Sequence, residues 1–262
     1  MDVKKAQPLL QVKGLTHYFG GLKAVSDFNL ELQGGEIYGL IGPNGAGKTT
    51  VFNLITGVYR PTSGRILFRG SSIVGLLPHQ IISMGVARTF QNIRLFKELS
   101  VLDNVRIAYY SKIQYRPWSA LVRTARFREQ ELRVREKSLE LLDLFDLRKQ
   151  APVLAKSLPY GEQRRLEIVR ALAGNPSLLL LDEPAAGMNP SEIERLMQTI
   201  RWIRERFSLT ILLIEHQMRL VMNICEKVKV LDFGETIAEG SPQEIRSNPR
   251  VLEAYLGKEM II

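Results

Sequence analysis

The 262-residue chain is 45% hydrophobic, enough for a sizeable core, yet no apolar run approaches the roughly 18–20 residues that a membrane-spanning helix requires. Its single cysteine, Cys225, excludes an internal disulfide and fits a reducing compartment, and Met1-Asp2-Val3-Lys4-Lys5 is followed by no apolar stretch of the signal-peptide kind. The formal net charge is +9, and residues 106–137 concentrate it, with nine basic residues against three acidic; such a balance suits nucleic acid, an anionic membrane surface or neither.

Residues 8–41 alternate apolar and polar positions, with turns at Gly20-Gly21 and Gly34-Gly35, which predicts short strands. Phe19, beside Tyr18, is either an aromatic that stacks on a base or a half-buried strand residue. Ile37–Ile41 predicts a buried strand, and Thr49–Thr56 a helix ending at Gly57. Between them stands Gly42-Pro43-Asn44-Gly45-Ala46-Gly47-Lys48-Thr49-Thr50, a phosphate-binding loop of the form G-x-x-x-x-G-K-[ST] in the strand–loop–helix setting that it needs. Its glycines let backbone N–H groups turn inward as a nest, and the helix N-terminus adds positive potential. Lys48 is expected to reach the β- and γ-phosphates, and the Thr49 hydroxyl to bind Mg²⁺.

A strand at Arg65–Phe68, a helix at Pro78–Met84 and a strand at Val86–Phe90 follow, with Gln91 at the end of the last. Ser100 is placed to cap a helix from Val101. Residues 119–146 read as helical, with an apolar stripe of Leu121, Ala125, Leu132, Leu139, Leu142 and Phe145, and Gly161–Ala173 as a further helix. Residues 92–173 thus form a mostly helical block inside an α/β chain. The strand pattern returns at Ser177–Leu181, which ends in Asp182-Glu183. Ser191–Glu194 reads as a capping box opening a helix to Phe207. The strand Thr210–Ile214 ends in Glu215-His216; a strand at Lys227–Leu231, a hairpin at Phe233-Gly234 and two short helices complete the chain.

Strands alternating with helices predict a mostly parallel sheet with its chemistry at the strands' C-terminal ends. Lys48, Gln91, Asp182, Glu183 and His216 all fall at or just beyond such ends, and this convergence points to one active site. Asp182 is the expected carboxylate of the Mg²⁺ site, held opposite Thr49. Glu183 is suited to polarise the water that attacks the γ-phosphate, and His216 to hold that water in line. Gln91 can supply a neutral oxygen to Mg²⁺ or water.

On these residues the chain resembles the ATP-binding-cassette (ABC) ATPases along almost its whole length. Phe19, Gly42–Thr50, Gln91, Asp182-Glu183 and His216 match that family's adenine-stacking aromatic, Walker A loop, Q-loop, Walker B motif with catalytic glutamate, and switch histidine. The signature motif, usually Leu-Ser-Gly-Gly-Gln, aligns with Leu158-Pro159-Tyr160-Gly161-Glu162, where Pro159 replaces the serine; Asn189 stands where the D-loop usually has Asp. A narrower resemblance, to the ATPase subunits of branched-chain amino-acid importers, rests on Arg88–Phe96, Leu158–Ile168, Asp182–Pro190 and the terminal Ala254-Tyr255-Leu256-Gly257.

The resemblance implies one α/β ABC ATPase domain over residues 1–262: a P-loop, RecA-like core, an N-terminal antiparallel β subdomain and an inserted helical subdomain at 92–173. It implies ATP and Mg²⁺ as cofactors, with Thr49, Gln91 and Asp182 at the metal, and Pro159, Tyr160, Gly161 and Glu162 acting on the ATP of a second, identical or paralogous subunit. The expected partners are transmembrane permeases and, indirectly, a substrate-binding protein, not nucleic acid. The expected place is the cytoplasmic face of the inner membrane, peripherally. ATPases of urea or lipopolysaccharide transport and soluble non-transport ABC ATPases are the alternatives. The absence of an Asn-Lys-x-Asp motif argues against a GTPase.

Overall fold

The computed structural model describes residues 7–110 and 124–256. The chain divides into two compact units, Met1–Ile81 with Ser177–Ile262, and Ile82–Pro176. The first unit opens on an antiparallel hairpin of β1 (Leu10–Phe19) and β2 (Leu22–Leu32), paired from Leu10↔Leu32 to Phe19↔Leu22. At ten and eleven residues these strands are longer than the short strands expected. Register shifts between Val12 and Leu15 and again around His17 interrupt the period-two pattern and so disguise the length. The fully buried β3 (Ile37–Ile41) leads to α1 (Lys48–Ile55). Then β4 (Ser63–Phe68) pairs antiparallel with β1, and β5 (Ser71–Ser72) with β4, giving a four-stranded sheet in the order β2-β1-β4-β5. Helix α2 (Pro78–Met84) follows.

The second unit contains β6 (Val86–Arg88), α3 (Val101–Tyr110), α4 (Ala125–Asp143) and α5 (Tyr160–Ala173). The strand stops at Arg88, short of the expected Phe90, because the Phe90 N–H donates to the Glu167 carboxylate on α5 instead of to a strand. Ser100 Oγ accepts the Asp103 N–H at 3.0 Å and caps α3 as expected. The buried Asn104 side chain holds the preceding loop, accepting from Phe96 N at 2.9 Å and donating to Phe96 O at 3.0 Å. Thr124 caps α4; the expected helical residues 119–123, with Leu121, lie outside the described residues. The apolar stripe on α4 needs correction. Leu132 is 58% exposed, and the buried face is Val134, Ser138, Leu141 and Leu142, where Ser138 satisfies its hydroxyl on Val134 O.

The chain then returns to the first unit through β7 (Leu178–Asp182), α6 (Pro190–Phe207), β8 (Thr210–Ile214) and α7 (Met218–Ile224). It ends with β9 (Lys227–Asp232), β10 (Glu235–Gly240), α8 (Pro242–Arg246) and α9 (Pro249–Leu256). In this unit β3 pairs parallel with β8 and β9, β7 pairs parallel with β8, and β10 adds an antiparallel edge to β9. Every residue of β3, β7 and β8 is buried, as expected of a parallel sheet, and each fully buried Leu or Ile contributes about 1.5–3 kcal/mol.

The capping box of α6 is Asn189 with Glu192, not Ser191 with Glu194. Pro190, whose fixed φ suits the first helical position, starts the helix earlier than the sequence pattern suggested. Cys225 follows α7, buried, with its Sγ 3.1 Å from where a Cβ on Gly39 would stand; burial first, then Glu226 and Glu215, push its thiol up to about 12. No helix among the described residues is long and apolar enough to cross a membrane.

Candidate active site

Register brings the site together. Leu40 and Asp182 both lie opposite Ile214, so β3, β7 and β8 end at one level. The phosphate loop, Glu183 and Glu215-His216 leave the sheet from that common edge, where open parallel sheets place their ligands. A cavity of about 390 Å³ there is lined by Asn44 to Thr50 with Phe19, Leu22, Lys23, Ala24, Glu183 and Phe233. Two glycines are required by contact as well as by conformation. A Cβ on Gly42 (φ 147°) would stand 2.0 Å from Leu231 O, and one on Gly47 (φ 99°) 2.4 Å from Ala24 O. Lys48 is 6% exposed, and its ammonium donates to Gly42 O at 2.7 Å and Pro43 O at 2.9 Å. The loop's own carbonyls therefore hold the cation over the cradle.

Asp182 closes β7 and is 3% exposed. Glu183 has a left-handed backbone, φ 46°, which costs a non-glycine residue about 1–2 kcal/mol, and its N–H donates to Ile214 O at 2.9 Å. That bend fixes where the acid leaves the strand. Its Oε2 lies 3.6 Å from Nδ1 of the half-exposed His216. The sequence reading missed Glu215. It is fully buried, with Oε1 accepting from Ala185 N at 2.8 Å and Oε2 from His216 N at 3.0 Å and Gln217 N at 3.2 Å. One carboxylate thus ties the segment after Glu183 to the segment bearing His216. Burial pushes this carboxyl above the ordinary range, and the N–H donors pull it back only in part. The available signal was an acid in the first position after a strand ending in four apolar residues.

Thr49 and Asp182 are hard oxygen donors, and among the described residues no group of three or more His, Cys, Asp or Glu is arranged to hold a metal ion. This donor set fits Mg²⁺, which takes one or two protein oxygens and completes its shell with phosphates and water. Phe19 is 43% exposed and stands edge-on to His17 at 4.7 Å and to Tyr59 at 5.3 Å, while His17 stacks on Tyr59 at 5.6 Å. The aromatic at the pocket mouth is thus one of a set of three whose neighbours set its plane.

Gln91 and Pro159, Tyr160, Gly161 and Glu162 belong to the other unit. Gln91 is exposed, and its carbonyl accepts from Arg164 Nη2 at 3.2 Å; Arg164 Nη1 also donates to Phe90 O at 2.6 Å. Glu167 pairs with Arg164 at 2.7 Å, both side chains at most 2% exposed, and accepts the N–H groups of Phe90 and Arg94. A buried ion pair on α5 therefore holds the Gln91 loop. Pro159 is the N-cap of the same helix, without a side-chain cap bond, and no atom lies within 4 Å of where a Cβ on Gly161 would stand.

Two family models match the chain: that of the ABC transporter family over residues 25–186, and that described as "Branched-chain amino acid ATP-binding cassette transporter" over residues 235–260. The chain is 47% identical to the high-affinity branched-chain amino acid transport ATP-binding protein LivG of Escherichia coli K12, over 97% of this chain and 99% of that protein. Among solved structures it is similar to the ADP conformation of MJ1267, an ATP-binding cassette of an ABC transporter, with TM-score 0.82, 31% identity, and 95% and 99% of the two chains covered. It is also similar to the ATP-binding cassette MJ0796, solved as a dimer in a post-hydrolysis state bound to ADP and Pi, with TM-score 0.74, 25% identity, and 89% and 98% covered.

Proposed function

Because the chain belongs to the ABC transporter family, we propose that it is the ATP-hydrolysing subunit of a branched-chain amino-acid importer. The reading is supported by the common level of β3, β7 and β8, at whose edge Lys48 and Glu183 line one cavity, with Asp182 directly before Glu183 and His216 3.6 Å from it. Lys48 leaves the carbonyls of Gly42 and Pro43 to meet the β- and γ-phosphates, the backbone N–H groups of the loop receive the phosphate oxygens, and Phe19 faces the adenine. Glu183 accepts a hydrogen bond from the attacking water and takes its proton as the oxygen bonds to the γ-phosphorus and the bond to ADP breaks. His216, beside Glu183, fixes the line of attack. Thr49 and Asp182 would hold Mg²⁺, which when bound would supply neutralisation of the phosphate charge.

The signature Pro159, Tyr160, Gly161 and Glu162 serves the ATP of a second cassette, which the dimeric MJ0796 structure supports. The serine hydroxyl usual in that motif is absent here, so the N-terminal N–H groups of α5 receive the phosphate. A cavity of about 550 Å³ in the Ile82–Pro176 unit, walled by Phe90, Phe96 and Ile107 with Arg170 at its polar side, is the seat of a cytoplasmic segment of the permease. The protein works peripherally at the cytoplasmic face of the membrane, and the permeases and their binding protein handle the amino acid. The branched-chain assignment rests on LivG and on the match over residues 235–260.

The test is uptake of labelled leucine, against urea as the competing cargo, by vesicles in which the chain is reconstituted with branched-chain amino-acid permeases. ATP-dependent leucine uptake that disappears with Lys48→Ala is expected. Robust ATPase activity with uptake of urea alone overturns the cargo but leaves the motor standing.

A further inference from the structure

The turn that joins β9 to β10 is Phe233-Gly234, with φ of 44° and 83°. Positive φ at both central residues is the conformation of the tight hairpin turn that prefers Asn-Gly or Asp-Gly, because a bulky side chain is strained at the first position. Phenylalanine is among the residues least suited to it. Burial does not compensate, since Phe233 is 76% exposed. Yet the backbone is held firmly. The Gly234 N–H donates to Ala46 O in the phosphate loop at 3.1 Å, and Gly234 O accepts the Ser26 N–H of β2 at 2.8 Å. A Cβ on Gly234 would stand 2.8 Å from Ala24 O. The turn is therefore fastened both to the phosphate cradle and to the ribbon whose tip carries Phe19, and Phe233 lines the same cavity as Lys48 and Phe19.

Neither turn preference nor core packing accounts for this phenylalanine, whereas the cavity does. We infer that Phe233 is a nucleotide-binding residue whose ring forms a second apolar wall of the pocket, against which the sugar and base of the nucleotide pack. The inference rests on the reading of the cavity as a nucleotide site. The strained turn serves to aim the ring, and its fastening to Ala46 keeps the ring in step with the phosphate loop.

The experiment uses the intact chain and ADP, which reports binding without turnover. Phe233→Asn supplies the residue that the turn prefers, so nucleotide-free thermal stability should rise while ADP binding weakens about 5–150-fold, the range expected for loss of one aromatic contact to a base. In ATP hydrolysis the loss should fall on KM more than on kcat. Phe233→Trp should restore affinity and show indole emission quenched by ADP. Lys48→Ala separates the two readings. If it abolishes ADP binding while Phe233→Asn keeps the parent affinity, Phe233 is not a nucleotide contact, even where ATP-driven dimerisation has changed. If both variants bind ADP like the parent, the nucleotide reading of the cavity falls with it.

Discussion

At the scale of single residues the site separates binding from chemistry. Lys48 is a buried cation held on the phosphate-loop carbonyls of Gly42 and Pro43, whereas Glu183 is an acid set on a strained backbone with a histidine at 3.6 Å. Glu183→Gln preserves shape and removes basicity. Turnover should fall roughly 10²–10⁴-fold, the usual contribution of a positioned general base, while ATP binding persists and traps a dimer visible by light scattering. Near-parental hydrolysis would take Glu183 out of the proton transfer. The phosphate-loop residues proposed to meet nucleotide were legible in the sequence because their spacing is fixed by the strand–loop–helix that carries them. Glu215 was not, because its partners Ala185, His216 and Gln217 are set by the fold, and an isolated acid does not disclose which N–H groups it will meet. Phe233 was visible only as half of a turn; its φ and its place in the cavity came from the structure.

At the scale of elements, α5 combines two tasks. Its N-terminus carries Pro159, Tyr160 and Gly161, and its next turns carry the Arg164–Glu167 pair that grips the Gln91 loop through Phe90, Gln91 and Arg94. Removing one partner of a buried ion pair strands the other charge and costs about 3–5 kcal/mol, whereas an apolar replacement of both is tolerated much better. Glu167→Ala should therefore lower the urea midpoint more than the double variant Arg164→Met/Glu167→Leu. The reverse order would show that the loop contacts, and not the stranded guanidinium, dominate. The sequence marked most helices and strands within a few residues. It missed where Phe90 leaves its strand, because the competing acceptor is 77 residues away. It counted Leu132 in the apolar stripe, whereas the buried face includes Ser138, whose hydroxyl the helix satisfies internally.

At the scale of the whole molecule, no arginine lines the cavity among the described residues, and charge stabilisation from Tyr160 and Gly161 of a second protomer would fill that role. The open space around Gly161 makes the test clean. In Gly161→Asp the fold should be kept or slightly stabilised, since an acid in the first turn complements the helix dipole, yet hydrolysis should be lost as an anion meets the γ-phosphate. Mixing this variant with Lys48→Ala creates one composite site with both halves intact. ATPase activity should reappear on mixing, with dimerisation measured alongside; full hydrolysis by a demonstrably monomeric chain would sink the two-protomer site. The basic stretch 106–137 is in part self-neutralised, with Arg106 bound to Asp103 and Glu131, and Arg133 to Glu129. Lys112, Arg116 and Arg123 lie outside the described residues.

The sole thiol has a use in spectroscopy. Thiolate is the form that maleimides attack, and with its titration pushed up to about 12 Cys225 stays protonated at neutral pH and sealed against Gly39. A cysteine introduced on either unit can thus carry a dye without a cysteine-free background first being built, and two such sites would follow the distance between protomers through the ATP cycle. Conversely, any labelling of Cys225 itself dates the moment when α7 lifts from β3, so the native chain carries its own clock for local opening.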